Sequence, residues 1–427
     1  MDMLKTVKQA FKVPEMRRKI IFTVVMLIVF RIGSSIPVPG INRDTLLKIF
    51  SGETGLFDLF DLFSGGSFSN FTIFALSITP YVTASIIVQL LTVAFPYFER
   101  LAKEGQTGRK KMAQITRYMT VALALIQALG LTVGLFRQAV ATQNWFNFLV
   151  IMLILTAGTA FLMWLGEQIN ENGIGNGISL LIFAGIIARI PTDIRRVGTQ
   201  YKDGGLTIIG LLIFVLFALL VVIGVIMIQQ GTRRIPVQYA KRVVGRKMYG
   251  GQSTHIPLKV NQAGVIPVIF ALSLLQFPLT ITYFLSSGSK FTAFVTKWLS
   301  PNGSPGVWVY AVLNIILIIA FNYFYTVITF NPVEVAQNMK ENGGFIPGIR
   351  PGKSTVDYLT RVMSRISIVG AVFLAVIATL PTLVSQYTGL SIHFGGTSLL
   401  IAVGVAIDVM RSIENQMVMR NYKGFLK

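Results

Sequence analysis

Ten apolar runs long enough to cross a bilayer dominate this 427-residue chain: 20–38, 71–92, 118–136, 146–166, 174–190, 206–228, 264–285, 307–330, 366–386 and 392–410. A bilayer core takes about 20 mainly apolar residues per helix. The runs 206–228 and 307–330 are long and uncharged, and 174–190 is the shortest and opens in glycines. Composition agrees: 13% of residues are charged, against roughly 25% in a soluble domain. A soluble globular fold is excluded on these grounds. Residues 1–19 are charged and alternate bases with Leu4, Val7, Phe11 and Val13, the pattern of an amphipathic helix on a membrane surface, and the first apolar run continues without a small-residue cleavage site.

The charge of +21 is unevenly distributed. Placing 1–19 on one side of the membrane puts 93–117, 167–173, 229–263, 331–365 and 411–427 there too. Those stretches hold 28 Lys and Arg, against 9 on the opposite side with Arg189 at a span end included; Arg31 lies inside the first span. Basic loops stay in the cytoplasm, so both termini are expected there. An odd number of spans would break the partition. Ten spans divide as five and five about the short fifth, a common plan in membrane proteins, although the two halves show no alignable repeat.

Several segments depart from ordinary spans and loops. The stretch 56–70 sets Leu56, Phe57, Leu59, Phe60, Leu62 and Phe63 on an apolar helical face, interrupted by Asp58 and Asp61 and ended by Gly65-Gly66. It is too short to cross. It fits either an interfacial helix lying on lipid or a re-entrant element lining a cavity. Pro80 falls in the middle of the second run and predicts a kinked helix. The base-free turn Glu167–Asn172 leads to a helix entry capped by Asn176. In 229–262 the alternation of Ile235, Val237 and Tyr239, and of Ile256, Leu258 and Val260, predicts a β-ribbon projecting into the cytoplasm. It carries Arg233, Arg234, Lys241, Arg242, Arg246 and Lys247, more than orientation requires, so binding to a partner is favoured.

Catalytic chemistry finds little purchase. There are no cysteines and two histidines, which excludes thiolate sites and leaves little room for a histidine metal centre. His255 has no second ligand near it in sequence. GGFIPGIRPGKS at 343–354 invites a phosphate-loop reading, but Gly348 to Gly352 encloses three residues where four are needed, and no apolar strand precedes it. Energy for any driven process must then come from a partner or an ion gradient. The intramembrane charges are Arg31, Arg189 and Asp408, all near span ends where snorkelling is open to them; a carboxylate relay is missing, which argues against an ion-coupled transporter.

The motifs resemble the SecY family, central subunits of the bacterial Sec protein-conducting channel. The matching stretches are FRIGSSIPVPGI (30–41), the proline-containing second span, MWLGEQINENGIGNGIS (163–179), STHIPLKVNQAGVIP (253–267), FNPVE with GGFIPGIRPG (330–352) and HFGGTSLLI (393–401), in order over nearly the whole chain. Ser77 stands where the family usually carries Gly, a departure expected to touch only local helix packing.

The resemblance implies an all-α polytopic membrane protein of the bacterial plasma membrane. Its ten transmembrane helices form two pseudo-symmetric five-helix halves (20–190 and 206–410) joined by an external hinge loop at 191–205, with a cytoplasmic tail at 411–427. By motif position, the pore ring is Ile78, Val82, Ile178, Ile182, Ile269 and Ile401. The 56–70 segment becomes the plug. A lateral gate involves Pro80, Ser85, Gln89 and Pro267, with the two prolines expected to loosen their helices. Arg350 joins the six basic ribbon residues as a docking surface for the ribosome and the SecA ATPase. The implied partners are SecE and SecG in a heterotrimer, SecA, the ribosome, secretory preproteins with their signal peptides, and membrane lipid. No cofactor is implied and no enzymatic activity: the expected function is passive conduction of unfolded polypeptides, with lateral release of apolar segments. A secondary transporter would need buried ionisable residues and small cytoplasmic loops, and a Sec-independent insertase would need a hydrophilic groove with a buried base; the pattern fits neither.

Overall fold

The structure is a computed structural model that describes residues 10–46, 61, 64–202, 208–239, 242–244, 247–249, 253–282, 284–285, 289–299, 306–388 and 396–424. Its helices are α1 (Pro14–Gly33), α2 (Thr79–Ala94), α3 (Pro96–Lys103), α4 (Gln106–Leu129), α5 (Trp145–Asn172), α6 (Gly177–Lys202), α7 (Ile208–Gln230), α8 (Ile266–Thr282), α9 (Lys290–Trp298), α10 (Gly306–Thr329), α11 (Pro332–Glu341), α12 (Lys353–Thr388) and α13 (Gly396–Gly424). The strands are β1 (Thr232–Tyr239), β2 (Arg242–Val244), β3 (Lys247–Tyr249), β4 (Ser253–Lys259) and β5 (Gly344–Phe345).

Each of the ten apolar segments carries a helix, yet not every helix has the length of a span. Among the described residues five are long and apolar enough to cross a membrane: Gln106–Leu135, Trp145–Asn172, Gly177–Thr199, Gly306–Glu341 and Lys353–Leu380. The pair α2 and α3 makes a sixth if taken as one element, bent by 101°. Ala218–Gln230 and Ile266–Thr282 are shorter apolar helices. Large side chains on α7 (Leu212, Leu216, Leu219, Ile223) and α10 (Trp308, Val312, Ile316) face outward. Contiguous apolar surface of this kind suits lipid or a partner helix rather than water.

Helix boundaries depart from the sequence expectation where local chemistry overrides hydropathy. The first helix starts at Pro14, with Glu15 in its first turn, and stops at Gly33. Proline at a first-turn position and an acid beside the positive helix end both favour starting there. The chain after it turns at Ser34-Ser35 and at Pro39-Gly40, with isolated bridges pairing Pro37 with Thr72 and Ile41 with Val140. Residues 1–9 of the predicted surface helix lie outside the described residues. In the second apolar run, 71–78 is irregular and α2 begins only at Thr79, so Pro80 occupies its first turn. Proline there loses no intrahelical bond; the kink expected from a mid-span proline is absent for that reason. Pro267 likewise sits in the first turn of α8, where the internal proline is Pro278. Both prolines start helices rather than loosen them. Ser77 is not helical: its φ is 55°, a left-handed conformation that glycine adopts freely and L-residues adopt at a cost. The departure at position 77 therefore bears on backbone conformation. The predicted hinge loop at 191–205 is helical as far as Lys202, with Pro191 inside α6; its last residues lie outside those described.

Two apolar cores hold the first half together. One joins Phe68, Phe71, Leu76, Ala124, Ala128, Phe136, Ile151 and Leu155, with Phe71 edge-on to Phe136 at 4.8 Å. The other is the central core described below. Ile73 packs against both, and beside it Phe74 lies 6.1 Å from Phe30 and 6.0 Å from Phe161. The irregular 71–78 segment is thus clamped between α1 and α5. Its closest approach is at Gly158 of α5, where a Cβ would lie 2.0 Å from the Ile73 carbonyl oxygen. The Gly158→Ala variant is expected to lose roughly 2 kcal/mol of stability, the usual scale of overpacking, read as a lower melting temperature of the detergent-purified chain. An unchanged melting temperature would show that the contact is not tight.

Candidate functional site

Two places in the fold gather the residues that sequence reasoning singled out. The first is an apolar centre. Ile78 (4% exposed), Val82 (7%), Ile182 (2%), Ile269 (6%) and Ile401 (0%) belong to one buried cluster, and half-buried Ile178 packs against it. These six come from four helices that are far apart in sequence. Each lies at a helix start: Ile78 is the N-cap of α2 and Val82 is one turn on. Ile178 and Ile182 occupy the first and second turns of α6, Ile269 the first turn of α8, and Ile401 the second turn of α13. The entry to α6 is fixed by Asn176, whose Oδ1 accepts from the Ile178 and Ser179 amides at 3.1 and 3.3 Å, as the sequence predicts.

The surroundings of this centre are equally apolar: Phe30, Leu162, Leu165, Val221, Phe270, Phe321 and Leu374 complete it. Among the described residues there is no group of three potential metal ligands. Such a centre cannot perform acid–base or nucleophilic chemistry. What branched apolar side chains converging from several helices can do is exclude water and ions by dewetting, while offering no fixed hydrogen-bond partner to anything that passes. α2 and α8 also pack directly on each other here, with Pro80 and Pro267 buried and Ser85 and Gln89 half-buried on α2.

Outside this centre, of the 56–70 segment only Asp61 and 64–70 fall among the described residues; Leu56, Phe57, Asp58, Leu59, Phe60, Leu62 and Phe63 do not. The described part turns sharply through Gly65 and Gly66, both with positive φ. Asp61 meets Arg189 of α6. Arg189 is 7% exposed, so it is buried and paired rather than snorkelling.

The second place is a small sheet formed by the two long basic loops. β1 pairs antiparallel with β4, Ile235 opposite Ile256 and Arg233 opposite Leu258; β2 and β3 form a separate two-stranded sheet, Arg242 opposite Tyr249. Beyond β1 lies β5, Gln238 opposite Phe345. This strand from the second loop has two residues, too few for a periodic signal. It ties the loops together over a core of Ile235, Val237, Leu258, Met339, Ile346 and Leu359. Arg233 and Arg234 are exposed on β1, and Arg350 is exposed at the tip of the second loop. Lys241 and Arg246 lie outside the described residues. His255 is exposed, its Nδ1 2.8 Å from the Thr254 carbonyl.

Several apolar helices long enough to cross a membrane, gathered about an apolar centre, define a multi-pass membrane protein. The comparisons identify which. The SecY family profile matches residues 72–410. The protein translocase subunit SecY of Halalkalibacterium halodurans is 51% identical over the full length of both chains, and that of Bacillus subtilis is 48% identical, again over both full lengths. A solved structure of a protein-conducting channel superposes with a TM-score of 0.70 at 19% identity, covering 94% of this chain and 93% of that one. The chain belongs to the SecY family of protein translocase subunits.

Proposed function

We propose that this chain is the pore-forming subunit of a bacterial Sec translocase, passing unfolded secretory polypeptides across the plasma membrane and releasing apolar segments sideways between α2 and α8. The observation that carries this is the convergence of Ile78, Val82, Ile178, Ile182, Ile269 and Ile401 from four helix starts into one apolar cluster. A ring of branched apolar side chains seals against ions when idle and adapts to any peptide when occupied. In this reading ten helices span the membrane with both termini cytoplasmic, 56–70 plugs the pore from outside, and α2 and α8 form the lateral gate. The sheet of β1, β4 and β5 with Arg350 is the cytoplasmic platform on which SecA or the ribosome docks. That platform supports the partner assignment because its exposed bases complement RNA phosphates and acidic protein surfaces. Energy enters from the docked partner. SecE and SecG complete the heterotrimer.

The test is reconstitution. Vesicles holding the purified chain with SecE and SecG, given SecA and ATP, are expected to take up a preprotein into a protease-protected form, and vesicles lacking this chain are not. Uptake indifferent to this chain would overturn the assignment.

A further inference from the structure

One short helix belongs neither to the apolar centre nor to the basic sheet. α9 (Lys290–Trp298) follows α8 and precedes α10, so it lies at the ends of both helices that are remote from the sheet. α10 has 24 residues, a rise of about 36 Å, against about 30 Å for the core of a bilayer. α9 and the sheet therefore border opposite leaflets, and α9 sits at headgroup depth.

The side chains of α9 suit that depth. Phe291, Phe294, Val295 and Trp298 recur at helical spacing and set one apolar face. Val295 is fully buried, and α9 packs on both α8 and α10. Phe291 and Phe294 are 40% and 56% exposed, so much of this aromatic face looks outward. Lys290 and Lys297 are exposed on one flank of it, two turns and about 10 Å apart along the axis. Lys297 Nζ stands over the Trp298 ring, 5.8 Å from its centroid, which holds the ammonium beside the aromatic face. The segment 283–305 contains these two bases and no Asp or Glu, so the lysines have no carboxylate of their own segment to pair with.

We propose that α9 lies in the headgroup layer of the leaflet opposite the basic sheet and holds anionic lipids by their phosphates through Lys290 and Lys297. A helix with an aromatic face flanked by lysines lies in the interface plane rather than crossing it. A soluble anion would satisfy the lysines and leave Phe291 and Phe294 in water; a lipid covers both at once. Attraction of this kind corresponds to about fivefold enrichment of an anionic over a zwitterionic lipid per lysine. In the orientation proposed above, the leaflet is the outer one, and the site ties the far end of α8 to the lipid surface.

The experiment uses the full chain in lipid nanodiscs. Trp145→Phe, Trp164→Phe and Trp308→Phe leave Trp298 as the one tryptophan. Its fluorescence is read with the same low fraction of either phosphatidylglycerol or phosphatidylcholine brominated high on the acyl chains. Both lipids are expected to quench, phosphatidylglycerol at least about twofold more strongly. Lys290→Gln with Lys297→Gln removes that excess and keeps the quench by phosphatidylcholine, whereas Lys290→Arg with Lys297→Arg keeps the excess. High salt lowers it in the parent. A second measurement leaves the tryptophans in place: the chain purified from an equal mixture of the two lipids retains more phosphatidylglycerol than its double Gln variant. Equal quenching by the two lipids, or an excess that survives in the Gln variant, would overturn the phosphate site. Absence of quenching by either would show that α9 stands clear of lipid or is covered by protein, and would overturn the placement itself.

Discussion

Arg350→Glu is expected to leave the chain folded and to cut SecA-driven export about a hundredfold at limiting SecA, as befits like charges placed opposite one another at an interface. Among the described residues no side-chain bond holds the Arg350 guanidinium. Arg350 is exposed, and it is tied in through its backbone, where Thr355 Oγ1 donates to the Arg350 carbonyl at 3.0 Å. The loop around it is shaped by Gly348 and Gly352, both with positive φ, and by Ile346 in the core beneath. A charge reversal at the tip therefore changes the surface and nothing below it. The measurement is SecA-dependent preprotein uptake into vesicles, beside the amount and melting temperature of purified chain. Normal uptake would remove Arg350 from the docking surface; a lost fold would remove the claim that the side chain is free of structural duty.

The second large effect concerns the apolar centre. Ile182→Ser and Ile401→Ser, made singly, are each expected to raise the ion permeability of the resting channel by at least about tenfold, because a hydroxyl in the constriction holds water that a branched alkyl group expels. Export of preproteins continues, since no cargo depends on a bond to these side chains. Each variant is also expected to lose roughly 3 kcal/mol of stability, from the missing methyl groups and a poorly satisfied hydroxyl. Ile182→Leu keeps volume and apolarity and stays tight. Single-channel recording in planar bilayers separates the cases. A serine variant as tight as the parent would mean that the cluster is ordinary core and the seal lies elsewhere.

The sequence made different parts of this structure visible to different degrees. The positions of the helices follow from apolar length, because lipid imposes it on every span independently of the neighbours. The cap at Asn176 and the alternation in β1 and β4 are equally local signals, and each has its counterpart in the structure. What escaped is what depends on neighbours. The left-handed backbone at Ser77 follows from the clamp of 71–78 between Phe30 and Phe161 rather than from the residue itself. With 71–78 held irregular, α2 starts late and Pro80 shifts from an expected kink to a helix start. β5 is two residues long and exists because β1 offers an edge. The ion pair of Asp61 with Arg189 joins positions 128 apart in sequence, and no periodicity can report such a meeting. The six residues of the apolar centre were picked out by motif resemblance alone; taken singly each is an ordinary isoleucine or valine of a span, and their convergence at helix starts is what distinguishes them.

That convergence has an electrostatic side. The first turn of a helix has amides without intrahelical partners and carries about half a positive charge. Four such ends, those of α2, α6, α8 and α13, border one apolar centre. When the centre parts to admit a chain, the rim that meets the water is therefore fringed with backbone positive potential. On the proposed reading of this centre as the pore seal, cations meet a barrier there from the helix ends as well as from dewetting.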